Sequence, residues 1–187
     1  MPSKPDFRSV FRFLNSSGIR YVVVGGVASG LKGEPRATTD VDIITFLPRI
    51  DLERFINFAR KRRIHLSARK LRKHAYSDAF FRLMIAGTQV DFIIGASGFE
   101  FDVLTRSKVE RLFGLNVPVA SPEDLILMKL VSGRALDWND AKAIQFRCGA
   151  RIDREYIESW AKRLKVQRGR GRVIDRWKKL VKMPYRF

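Results

Sequence analysis

Ile19 to Val24 is a short run rich in β-branched side chains, and it ends directly on Gly25-Gly26. Such a run reads as a buried strand delivered into a turn. Thirteen residues, "VASGLKGEPRATT", then separate Gly26 from Asp40. Val27 to Leu31 is apolar enough to begin a helix, while "KGEPRATT" carries the turn residues of an exposed loop. Val41 to Phe46 is a second strand. Because side chains alternate along a strand, Asp40 and Asp42 project from the same face.

A D-x-D pair alone arises often by chance, and a solvated strand edge explains it as well as a site does. A third acid changes the balance. Ala79 to Ala86 and Thr88 to Ile94 read as two strands joined at Gly87, which places Asp91 inside the apolar "QVDFII". Burying a carboxylate is costly unless it is paired, hydrogen-bonded or bound to a metal. Three aspartates are hard oxygen ligands of the kind that suits Mg²⁺, or Mn²⁺ in its place. Two such ions about 3.5 to 4 Å apart stabilise both the attacking and the leaving oxygen in phosphoryl-type transfer. The glycines fit the same chemistry: without a Cβ, the backbone can approach a triphosphate and offer its N–H groups.

Other reaction classes fall away. The two histidines, His65 and His74, both lie in a basic stretch, which argues against a Ser/His/Asp or Cys/His triad. Gly25 and Gly30 have the spacing of a phosphate loop, but Leu31 stands where its lysine belongs, and no G-x-G-x-x-G fingerprint occurs at this turn. The single cysteine, Cys148, excludes a disulfide framework or a cysteine-rich zinc site within the chain and makes a reducing, cytoplasmic compartment the default. No apolar run approaches the ~20 residues of a membrane span, and the N-terminus has the wrong composition for a signal peptide.

At 187 residues, with 45% apolar residues and 14 phenylalanines, the chain is long and apolar enough to bury a core. Its formal net charge is +18, from 37 Lys and Arg against 19 Asp and Glu. Such an excess favours a polyanionic partner, nucleic acid before membrane. The charge gathers in residues 60–73, which contain no acid, and in residues 162–182, where ten basic residues face Asp175 alone. Both stretches suit a phosphate backbone, although two solvated helix faces would read the same way.

Residues 6–16 read as an opening amphipathic helix stopped at Gly18, and Leu52, Phe55, Ile56 and Ala59 define another that runs into the basic cluster. Ser121-Pro122-Glu123-Asp124 is a strong helix start, with a capping serine, proline at the first position and acids in the first turn. The helix it opens is apolar on nearly every side except at Lys129. Further helices are expected over 137–146, 153–165 and 173–182.

"VVVGGVASGLKGEPRATTDVDIIT" followed by "TQVDFIIG" resembles the nucleotidyltransferase superfamily of DNA polymerase β type, with its hydrophobic strand, G-[GS], spacer, D-x-[DE] and later third carboxylate. Within it, "GEPRATTDVDI" and "SPEDLILMKLVSGRALDWNDAKAI" look most like small prokaryotic proteins grouped with abortive-infection toxin-type nucleotidyltransferases. The resemblance covers about residues 19 to 146. It implies an α+β fold, a mixed β-sheet flanked by helices, with residues 1–120 as catalytic core and 121–187 as a helical, basic C-terminal part packed on it.

It also implies that Gly25 and Gly26 cradle the nucleotide phosphates and that Asp40, Asp42 and Asp91 hold Mg²⁺ or Mn²⁺. Asp91 would further help deprotonate the acceptor hydroxyl, and Lys129 would face the active site and bind phosphate. Arg36 and Thr38 either reach the triphosphate or organise the loop. Asp137 and Asp140 either repeat the family's D-x-x-D spacing or cap a helix, with Arg134 placed to neutralise one of them. Gly26 departs from the serine of many members, which removes a hydroxyl contact to phosphate.

The expected reaction is transfer of a nucleoside monophosphate from an NTP to an acceptor hydroxyl, on RNA and best on a tRNA 3′ end, with a protein hydroxyl or an aminoglycoside-like small molecule as further acceptors of the same class. The expected partners are the nucleotide, RNA along the two basic stretches and, for a toxin-type enzyme, an antitoxin protein. The alternative is a non-catalytic RNA-binding module that keeps the fold.

Overall fold

The computed structural model describes residues 5–165 and 172–183. Residues 166–171 of the second basic stretch lie outside the described residues. In chain order the elements are α1 (Phe7–Ser16), β1 (Tyr21–Val24), α2 (Gly25–Lys32), β2 (Asp40–Thr45), α3 (Arg49–Lys61), α4 (Ala68–Ser77), β3 (Phe80–Ile85), β4 (Thr88–Ile94), α5 (Gly98–Thr105), β5 (Lys108–Leu112), β6 (Leu115–Val119), α6 (Pro122–Ser132), α7 (Ala135–Cys148), α8 (Arg154–Lys165) and α9 (Val173–Val181). The chain divides into two units, residues 1–27 with 37–120 and residues 28–36 with 121–187.

The first unit holds the whole sheet, in the order β3-β4-β2-β1-β6-β5. It is mixed: β1 runs antiparallel to β2 and parallel to β6, β2 runs parallel to β4, and hairpins join β3 to β4 and β5 to β6. This is the mixed sheet flanked by helices that the sequence predicts. Val41, Ile43, Val90 and Phe92, which alternate with the acids, are fully buried. Phe55 of α3 packs on Phe81 and Phe92, whose own rings stack at 4.5 Å, and Phe13 of α1 meets Phe55 edge-on. Each such aromatic ring removes a large apolar area from water and so contributes strongly to the core. One sheet face is thereby committed to the core, leaving the other for chemistry.

Several boundaries differ from the expected ones. The β3 strand is shorter than 79–86 because Ala79 and Ala86 adopt positive φ (50° and 49°), which extended backbone does not allow. Ala86-Gly87 (φ 49° and 73°) form a two-residue turn with left-handed φ at both positions, the kind whose twist matches a hairpin. Phe113-Gly114 (φ 50° and 78°) do the same between β5 and β6, a hairpin that the sequence does not predict, and neither does it predict α4 or α5. α2 begins at the glycines themselves rather than at Val27.

In the second unit, α6 starts as expected: Ser121 Oγ accepts from the Asp124 N–H at 3.2 Å, Pro122 opens the helix, and Gly133 closes it at φ 67°. α7 starts at Ala135, two residues before the expected Asp137, so Asp137 is an acid in the first turn and not the N-cap. α8 and α9 pair and bury Ile157, Leu164, Trp177 and Leu180. No helix among the described residues is long and apolar enough to cross a membrane.

Candidate active site

Strand register assembles the site. The β1–β2–β4–β3 pairings put Val24, Asp42, Asp91 and Arg82 opposite one another in a single row across four strands. Asp40 lies two residues before Asp42 on the same strand, hence on the same face. The outcome is that one carboxylate oxygen from each of Asp40, Asp42 and Asp91 lies within 4.8 Å of the others. Among the described residues this is the one group of three acidic, histidine or cysteine side chains close enough to share an ion. Asp40 and Asp42 are half-buried and Asp91 is buried. Three carboxylates this close repel one another strongly in a poorly screened site unless cations compensate them.

One compensating cation comes from a residue that sequence reasoning does not single out. Arg82 forms a bidentate pair with Asp91, Nε to Oδ1 at 2.7 Å and Nη2 to Oδ2 at 2.8 Å. Gln89, with its amide oxygen turned to the guanidinium, accepts from the same two nitrogens at 3.2 Å. The Asp91 hydrogen bond, followed by attraction to Asp91, Asp40 and Asp42, raises the Arg82 pKa further above its already high value. The Arg82 side chain is 52% exposed while that of Asp91 is only 10% exposed, so the pair is open on its arginine side. A carboxylate offers about four lone-pair sites, and a bidentate arginine occupies only part of them. The triad therefore fits a divalent cation with Arg82 in place.

The glycine turn meets the triad from β1. Gly25 has φ +61°, and a β-carbon there would collide with the Asp42 side chain. Absence of a side chain is thus what lets the β1–α2 backbone lie against the carboxylate. Gly26 follows, buried, in the first turn of α2, where helix N–H groups lack partners within the helix and suit an anion. Thr38 Oγ1 donates to Asp40 Oδ1 at 2.8 Å, so Thr38 orients the first acid of the pair.

Arg36 and Lys129 belong to the second unit, where their charges are taken up by acids. Arg36 Nε and Nη2 reach the two oxygens of Asp140 at 3.0 and 3.1 Å. Lys129 Nζ stands 2.9 Å from Asp137 Oδ1 and 2.8 Å from Asp140 Oδ2, with all three side chains buried. Arg134 Nε adds a 2.6 Å bond to Asp137 Oδ2, the neutralising role expected of it. Burial alone would raise the Asp137 pKa, but hydrogen bonds from Arg134, Ser132 and Lys129 outweigh it and hold the carboxyl below the usual range. The apolar setting of Lys129 in "LILMKLV" is thus resolved by two buried partners.

A mixed sheet that presents two strand-borne aspartates, a third from a neighbouring strand and a glycine turn defines the nucleotidyltransferase class. The chain belongs to the family described as nucleotidyl transferase of unknown function (DUF2204), whose profile matches residues 3–175.

The two solved forms of ANT(2'')-Ia agree with this chain on the fold. The antibiotic-resistance factor ANT(2'')-Ia in solution is 13% identical, with a TM-score of 0.53 over 94% of this chain and 92% of that one. ANT(2'')-Ia in complex with adenylyl-2''-tobramycin is 14% identical, with a TM-score of 0.51 over 91% and 96%. An antigenic nucleotidyltransferase-like protein from Paracoccidioides brasiliensis is 14% identical, covering 91% and 84% with a TM-score of 0.49. No curated protein matches the chain.

Proposed function

We propose that this nucleotidyltransferase-family protein transfers a nucleoside monophosphate from an NTP to a hydroxyl of RNA, with a tRNA 3′ end as the best single acceptor. The observation that carries the reading is the cluster of Asp40, Asp42 and Asp91 beside the Gly25 turn. Residues 1–120 serve as the catalytic core and residues 121–187 as the helical, basic C-terminal part. An antitoxin protein would be the partner if the enzyme works as a toxin.

The acceptor oxygen attacks the α-phosphorus, the P–O bond bridging the α- and β-phosphates breaks, and pyrophosphate leaves with its electrons. The acceptor's proton goes to Asp91 and from there to water. Asp40, Asp42 and Asp91 would hold Mg²⁺ or Mn²⁺, which supplies Lewis-acid polarisation of the phosphate and a lowered hydroxyl pKa. Gly25 and Gly26 give the triphosphate room to approach backbone N–H groups. Thr38 fixes the Asp40 rotamer through its hydrogen bond. Arg36 and Lys129 act at one remove, tying residues 28–36 and α6 to α7 through Asp140 and Asp137.

The test is incubation of the pure protein with α-labelled NTPs, Mg²⁺ or Mn²⁺ and total RNA. Label in RNA that disappears in Asp40→Ala and Asp42→Ala is the expected result. No transfer with any NTP, together with tight RNA binding untouched by those substitutions, would leave a non-catalytic RNA-binding module as the reading.

A further inference from the structure

β3 forms an edge of the sheet, and α4 lies against it. Between them is a cavity of about 350 Å³ whose polar lining comes from His65, Ser67, Lys70, His74 and Arg82. Leu66, Leu71 and Leu83 supply an apolar floor, and Phe80 and Phe81 also line it. Both histidines of the chain are here. Asp78 holds one of them, with its carboxylate 2.5 Å from His74 Nδ1.

Three features tie this cavity to the triad and to a nucleic-acid ligand. Arg82 belongs to both, its guanidinium on Asp91 and its half-exposed side chain on the cavity wall. Phe80 alternates with the buried Phe81 and so presents its ring on the Arg82 side of the strand, where it is 37% exposed with Arg82 Cζ 5.9 Å from its centroid. In the chain stretch that supplies His65 and Lys70 to the cavity, Arg60, Lys61, Arg62, Arg63, Arg69 and Lys73 are all exposed, a density of positive charge that suits a phosphate backbone. Unstacked bases of single-stranded RNA settle on aromatic side chains, with phosphates on neighbouring cations. The volume stands near the small end of the roughly 300–1,000 Å³ common for ligand pockets, which suits one nucleotide and not a duplex.

We propose that this cavity seats the 3′-terminal nucleotide of the RNA acceptor. Its phosphate lies between Lys70 and Arg82, its base stacks on Phe80, and its terminal ribose is directed to Asp91. Arg82 is the positioning residue that joins acceptor to carboxylate. The assignment rests on the transferase reading of the triad, and the experiment separates the two.

Binding of a short single-stranded RNA, labelled at an internal nucleotide, is followed by fluorescence anisotropy on the full chain, with no NTP and no divalent metal. Lys70→Ser and Phe80→Ala should each weaken Kd about five- to tenfold, the scale of one stacked base or one phosphate pair. Lys108→Ser removes the same charge from exposed β5 and should leave Kd within about twofold. A circular RNA of the same sequence, lacking an end, should be insensitive to Phe80→Ala.

Unchanged Kd in both cavity variants, an equal weakening in Lys108→Ser, or equal sensitivity of the circular RNA would each overturn the assignment. Because nothing is transferred in this assay, a protein that binds RNA through the cavity but never labels it would refute the transferase reading alone. A protein that labels RNA with the same KM in wild type and cavity variants would refute the cavity alone.

Discussion

Gly25 illustrates how much one residue decides. Its φ of +61° costs an L side chain about 1 kcal/mol or more, and its missing Cβ leaves the space occupied by the Asp42 side chain. Gly25→Ala should therefore push Asp42 out of the triad, and Asp42 forms it at the pairing position opposite Val24. The expected outcome is an NTP-transfer rate at least about a thousandfold lower, since several kcal/mol of charge stabilisation depend on the site, with a fold that persists by circular dichroism. Transfer near the wild-type rate would show that Asp42 is not needed where it stands.

At the same scale, Asp40, Asp42 and Asp91 were legible in the sequence because a period of two and an apolar setting leave an acid few roles. Arg82 was not. It sits in an alternating strand like any exposed arginine, and its bond to Asp91 depends on the β3–β4 register. That register is set by a turn at Ala86-Gly87, where Ala in the left-handed region hides the signal that Asn-Gly would have given.

At the scale of elements, α6 and α7 are joined by buried charge. Lys129 bridges Asp137 and Asp140, while Arg134 and Arg36 each hold one of the same acids. Removing the buried lysine leaves two acids under-compensated. Lys129→Met should destabilise the second unit by about 3 kcal/mol, the low end for breaking a buried pair because the arginines remain. Urea unfolding would register this as a lower midpoint, and a midpoint equal to wild type would mean that the network contributes little.

The depressed Asp137 pKa has a pH signature of definite sign. A carboxyl held below its unfolded value of about 3.9 contributes stability above that pH and loses it as the pH falls toward the folded value. Wild-type stability should therefore decline below about pH 4, and Asp137→Asn should flatten that decline. Parallel curves for the two proteins would contradict the assignment. The start of α6 was readable from Ser121-Pro122, a local signal. Lys129's partners were harder to read, because helix spacing places a lysine on a face without saying what the next helix brings to it.

Across the whole molecule, the dominant property is a formal net charge of +18. Residues 60–73 fall into the end of α3, a loop and α4, and the eight Lys and Arg among them are exposed, Arg72 paired with Glu53 at 2.6 Å. Replacing Arg60, Lys61, Arg62 and Arg63 with Ser should make the slope of log K for RNA against log salt shallower by about 2 to 3, at roughly 0.7 for each phosphate no longer neutralised. An unchanged slope would remove this stretch from the interface.

The α+β class followed from the resemblance carried by the glycine turn and the three aspartates, and the order β3-β4-β2-β1-β6-β5 was not legible, since non-local pairing is invisible to a local pattern. The family match over residues 3–175 fixes the class of chemistry, and the proposed address of that chemistry is the cluster of Asp40, Asp42 and Asp91.

That address is tested most directly by diffraction from crystals soaked with Mn²⁺ and a non-hydrolysable NTP analogue, using the anomalous signal of manganese. The expected result is a peak bounded by the carboxylates of Asp40, Asp42 and Asp91, with the triphosphate against Gly25-Gly26, and no peak in Asp42→Asn. Manganese elsewhere with the three aspartates empty, or a peak unaffected by that substitution, would contradict the assignment of these acids to metal-dependent nucleotidyl transfer.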